Sequence, residues 1–147
     1  MRTWHSFKPI VWIFLIMSAV LLVLAGMVSQ GWTKQIVPPP ETTASQLVGA
    51  LAAHRFEGAM NQLSQDLQQQ VTEEDLRALM SAIEQSPSKG IQDSHGQSAQ
   101  IEGDQATAEV QVKLGTNEQI NIQFPLKKEN GVWKVTSLDP LGGFANP

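Results

Sequence analysis

The sequence predicts an α+β fold: one N-terminal transmembrane helix, then three helices packed on a curved antiparallel sheet of about four strands. Three observations predict it. Residues Pro9 to Val28 form an uncharged apolar run, residues 43 to 86 carry apolar side chains at helical spacing, and beyond Gly90 the period falls to two. Helices and strands that occupy separate stretches of chain indicate α+β, with the helices covering the single apolar face of the sheet.

The run from Pro9 to Val28 holds one hydroxyl side chain, Ser18, and no charge. About 20 helical residues span roughly 30 Å, the thickness of a hydrocarbon core. Trp4 and Trp12 lie toward one end and Trp32 just past the other, where indole rings settle at the water interface. Arg2 and Lys8 precede the run, and Lys34 alone follows it before Glu41, so the positive-inside bias keeps the N-terminus cytoplasmic and exports the rest. A cleavable signal ending near Ala25 is the alternative, with secretion as its outcome. The length of the run favours an anchor. Residues 1–29 are thus the cytoplasmic flank and span, 30–42 a linker containing Pro38, Pro39 and Pro40, and 43–147 one soluble domain.

That domain opens with Thr43 and Gln46 in the form of a capping box, ahead of Leu47 and Leu51 on one face. Phe56, Met60, Leu63 and Leu67 then recur at i, i+4, i+7 and i+11, the stripe of a second helix. Thr72 caps a third, with Glu73, Glu74 and Asp75 in the first turn, where the helix dipole favours negative charge. It ends near Ser86-Pro87. From Gln105 to Leu114, Ala106, Ala108, Val110, Val112 and Leu114 alternate with polar residues, which is a strand with one wet face. The small Ala106 and Ala108 leave room either for close helix packing or for a cavity. Ile120 to Leu126 repeats the pattern, and Asn130-Gly131 is the preferred dipeptide of a two-residue hairpin into a last strand that carries Trp133 and Val135. A weaker strand between Ile91 and Ile101 is polar enough to be an edge. Gly142-Gly143 marks a flexible tail whose Phe144 is free to dock on a neighbour.

The stretch LVGALAAHRFEGAMNQLSQDLQQQVTEEDLRALMSAI and the ending ENGVWKVTSLDP resemble small bacterial domains of unknown function in the nuclear transport factor 2-like superfamily. The resemblance covers about residues 43 to 140. It implies a cone-like fold with a cavity between helices and sheet, and no particular activity, because that superfamily holds enzymes, binding proteins and dimerisation modules. In a bacterium the exported side is the periplasmic side of the inner membrane.

Composition narrows the chemistry. From Glu41 onward 14 acidic residues face 7 basic ones, a net of −7 that repels phosphate backbones, so nucleic acid is not an expected partner. The chain has no cysteine, which removes disulfides, thiolate zinc sites and a cysteine nucleophile, and no tyrosine to act as a phenolic donor. His54 and His95 stand apart from each other at no metal-ligand spacing, and the sequence calls for no metal or cofactor. Asp93-Ser94-His95 holds the residue types of a triad, but adjacency in sequence is not triad geometry. Phe56, Met60, Phe124 and Trp133 are the candidate lining of a cone cavity, with core packing as the plainer role. The resulting expectation is a membrane-held, non-catalytic binding or assembly module, partnered by another protein or by its own copy. A binder of a small apolar ligand is the alternative, and an enzyme, which would draw on His54 or Asp66, comes third.

Overall fold

The computed structural model describes residues 36–145. The expected span over 9–28 and the first part of the linker, residues 30–35, lie outside the described residues, among which no helix is long and apolar enough to cross a membrane.

The described domain runs α1 (Pro40–Ala52), α2 (Phe56–Met60), α3 (Gln65–Gln68), α4 (Glu73–Gln85), β1 (Ile91–Glu102), β2 (Gln105–Leu114), β3 (Gln119–Glu129), β4 (Val132–Val135) and α5 (Asp139–Ala145). The four strands form one curved antiparallel sheet in the order β1-β2-β3-β4, with helices packed on it, as the α+β reading expects.

The alternation in β2 sets the inner face. Ala106, Ala108, Val110, Val112 and Leu114 are all buried, while their neighbours are exposed or half-buried. Cross-strand register carries the same face into β3, where Ala108 lies opposite Phe124 and Ala106 opposite Leu126, and on to β4, where Leu126 lies opposite Val135. Full burial of side chains such as Phe124 or Val110 contributes about 1.5–3 kcal/mol each. The tight turn into β4 has Asn130 at φ 50° and Gly131 at φ 79°, the left-handed pair that a two-residue hairpin requires.

The strand read as weak is an edge strand of 12 residues, with register slips between Ile91 and Asp93 and between Gly96 and Ser98. Its inner face is small because α1 lies directly on it. Ser94 donates its hydroxyl to the Ser45 carbonyl at 3.1 Å. A Cβ on Gly96 would sit 2.5 Å from the Glu41 carbonyl oxygen. α1 also packs on β2, where Ala108 is fully buried, so the alanines serve close helix packing.

Three helical details differ from expectation. α1 begins at Pro40, whose missing N–H and fixed φ suit a first helical position, so Thr43 is a buried residue inside the helix and caps nothing. The second helix is two short ones, α2 and α3, because Leu63 leaves the helical path to bridge Val135. There Val135 donates to the Gln62 carbonyl and Ser64 donates to the Val135 carbonyl, both at 2.8 Å, and the Ser64 hydroxyl then caps α3 by accepting from Leu67. The glycine tail is helix α5, held by a fully buried Leu141 with Phe144 half-buried against the same core. Here docking onto α4 and β3 outweighs the poor helix propensity of two glycines. The third expected helix matches α4, with Thr72 and Asp75 capping one another.

Candidate functional site

The four aromatic and methionine positions proposed as a cavity lining belong to the core. Phe124 is fully buried, Phe56 and Trp133 are 5 % exposed, and Met60 packs half-buried against the same cluster. Two of them have cations on their outer sides. The Arg77 guanidinium lies 4.9 Å from the Phe56 ring centroid and the Lys128 ammonium 4.9 Å from that of Trp133.

The triad residue types separate onto the two faces of β1, as a period-two backbone requires. Asp93 and His95 pair on the outer side, carboxylate to Nε2 at 2.9 Å, while the Ser94 hydroxyl points inward to α1. His54 is also far from that pair in chain and role. It takes a left-handed φ of 55° after α1, stacks edge-on to Phe56 and reaches Glu84 of α4 at 2.9 Å, clipping the end of one helix to another. Among the described residues no group of three or more His, Asp or Glu side chains is placed to hold a metal ion. Glu73 and Glu74 ring the start of α4, as dipole complementation expects.

Asp75 does defined work there. Its carboxylate accepts from the Thr72 backbone N–H and hydroxyl, both at 2.7 Å, and those bonds, the backbone one foremost, hold its pKa below the ordinary 3.8. Asp66 is tied into a second cluster. Lys127 of β3 reaches Asp66 at 2.7 Å and Glu129 at 3.1 Å, and Glu129 accepts from the Gln65 backbone N–H at the start of α3. The bond to Asp66, then that to Glu129, raises the Lys127 pKa above its ordinary 10.5. This is a clasp between α3 and the sheet, and it commits Asp66 to structure.

Two surface features could receive a partner. The outer face of the sheet carries amides, hydroxyls and charges in register, Gln100 beside Thr107 beside Pro125, and Gln111 beside Asn121. A groove of about 340 Å³ crosses it over Gln100, Gln105, Thr107, Pro125 and Thr136. A second groove, of about 330 Å³, lies along α1 and α2 and is lined by Gln46, Ala50, Arg55, Gly58 and Gln62. Neither groove is legible in the sequence, because each assembles side chains from elements that meet only in three dimensions.

No protein-family model matches the chain, and no curated protein matches it. Solved structures do. A protein of Campylobacter jejuni named as an NTF2-like transpeptidase is 16 % identical, with a TM-score of 0.50 over 68 % of this chain and 99 % of its own. A SEC-C motif-containing protein of Rhodopseudomonas palustris is 16 % identical, with a TM-score of 0.48 over 60 % of this chain and 68 % of its own. At that identity the first likeness bears on architecture alone: the domain has an NTF2-like fold.

Proposed function

We propose that the chain is a membrane-tethered, non-catalytic binding or assembly module whose folded domain stands on the extracytoplasmic side. The observation that carries the reading is the outer face of the sheet. Strands β2 and β3 present polar side chains there in unbroken register, Thr107, Gln111, Asn121 and Gln123 among them, with Gln100 of β1 beside Thr107, and polar surfaces of this kind suit reversible protein contact. The tether rests on the sequence from Pro9 to Val28 and its basic flank. The histidines and carboxylates that would serve an enzyme are spent on clips between elements, at His54–Glu84 and at Lys127–Asp66. Binding of an apolar ligand inside the cone would have to displace Phe56, Phe124 or Trp133 from a contiguous core, which ranks that reading second.

The test is photo-crosslinking of the full chain in intact membranes, with the crosslinker placed at Gln111 or at Gln123. An adduct to a second copy or to a membrane-complex protein is the expected result. A strictly monomeric chain with no adduct from either position defeats the proposal. Carbonate washing of the membranes and the mass of the N-terminal fragment separate the tether from cleavage near Ala25.

A further inference from the structure

We propose that the groove between α1 and α2 binds a carboxylate, with the Arg55 guanidinium as the fork that receives both oxygens. The inference rests on the reading of the domain as a binding module and names the chemistry of what it binds. Gln46 and Ala50 stand one turn apart on α1, Gly58 lies in α2 and Gln62 in the turn that follows it, and Arg55 lies at the junction of the two helices, its backbone N–H fixed by the Ala50 carbonyl at 2.8 Å. Of the two described arginines, Arg77 pairs with Glu74 and covers Phe56, while no carboxylate of the described residues lies within ion-pair distance of Arg55. The amides of Gln46 and Gln62 make no side-chain hydrogen bond within the described domain either. One unpaired planar cation in a groove also lined by two neutral amide residues, each able to donate, matches a monoanion with two oxygens. The net −7 of the surrounding domain opposes any anion, and opposes a dianion such as phosphate about twice as strongly as a monoanion.

Gly58 keeps the groove open. A Cβ there would meet only the Arg55 Cβ, at 3.9 Å, and its φ is an ordinary helical one, so a larger side chain fits the backbone and fills the space a ligand would use. The volume of about 330 Å³ suits a chain end or a single side chain.

The experiment is a nuclear magnetic resonance titration of the full chain in detergent micelles at low salt. The probes are N-acetyl-Ala-Ala with a free C-terminal carboxylate, the same dipeptide amidated, N-acetyl-glutamic acid α-amide, and inorganic phosphate. Expected are saturable shifts centred on Gln46, Arg55 and Gln62 with the carboxylates only. The tighter of the two carboxylates tells whether a chain terminus or an acidic side chain is the natural source. Arg55→Lys, which keeps the charge and loses the fork, weakens binding by about tenfold. Gly58→Leu abolishes it with Arg55 intact, and Arg77→Lys leaves it unchanged. Equal shifts from the amidated dipeptide, an affinity within twofold of the parent in Arg55→Lys, or tighter binding of phosphate would each overturn the proposal. Such a failure leaves crosslinking through the outer sheet face untouched, so the two readings fall separately.

Discussion

Replacing Gly96 with alanine tests how closely α1 lies on β1. Gly96 is exposed to solvent and sits on a polar edge strand, so a methyl group there looks harmless. The structure says otherwise. The added Cβ would stand 2.5 Å from the Glu41 carbonyl oxygen, 2.8 Å from its carbonyl carbon and 3.1 Å from its Cβ, where ordinary contact begins at 3.4 Å. The oxygen contact is short by about 0.9 Å. Two of the three atoms are backbone, so no rotamer change relieves them, and the first turn of α1 must lift from the sheet. Overpacking of this kind costs about 1–3 kcal/mol, offset by about 0.5–1 kcal/mol because alanine has less unfolded-state freedom than glycine. Because the clash is with backbone the overpacking lies toward the upper end, about 2–3 kcal/mol, and the net loss is about 1–2.5 kcal/mol, which at about 4–8 °C per kcal/mol lowers Tm by roughly 4–20 °C. Urea unfolding should show a lower midpoint at unchanged slope, with faster amide exchange in α1 than in α4. A Gly96→Ala protein as stable as its parent would refute the packing argument.

Other outcomes follow from the same structure. Gly142→Ala in α5 meets nothing within 4 Å and should raise stability by about 0.5 kcal/mol in the same urea assay, as removal of a helical glycine predicts. Phe124→Ala empties a fully buried position and should cost about 3–5 kcal/mol, enough to leave much of the chain unfolded at 37 °C by circular dichroism. Thr72→Ala removes the α4 cap and should cost about 1 kcal/mol. Because the folded Asp75 pKa is depressed, its contribution is present above pH 3.8 and lost as pH falls through the lowered value. Thr72→Ala should therefore flatten the acid limb of stability against pH. Lys127 carries the opposite sign: its pKa is raised, so its contribution is complete below pH 10.5 and fades as pH climbs through the raised value. Lys127→Gln should remove that alkaline dependence.

The elements legible in the sequence are those whose pattern comes from one clean interface. β2 has a packed face and a wet face, and its alternation from Ala106 to Leu114 shows both. α4 announces itself through Thr72 and its three carboxylates. β1 reads poorly for a physical reason: the close approach of α1 demands Ser94 and Gly96 where a strand would otherwise carry valine or isoleucine, which erases the apolar half of the alternation. Leu63 misleads in the other direction. Its spacing from Phe56 and Met60 fits a helix and it is indeed buried, yet its burial is gained by bridging Val135, a contact 72 residues along the chain. Thr43 and Gln46 have the spacing of a capping box, yet the helix starts three residues earlier, with Pro40 as the first residue of α1. Of the candidate lining, Phe56, Phe124 and Trp133 lie in the core and Met60 packs half-buried against it, while the Arg55 groove depends on how α1 turns into α2. No periodicity encodes that turn.

The segment from Gln62 to Ser64 has a meaning beyond breaking a helix. It satisfies Val135 on the side of β4 away from β3, while β1 at the other margin is interrupted twice by register slips. Exposed strand margins are where identical chains add to one another through their backbones, indifferent to sequence. With one short margin bridged at Val135 and the other irregular, such templated growth has little to propagate along. In the proposed binding role, contact with a partner is therefore left to side chains and not to the backbone of a strand edge.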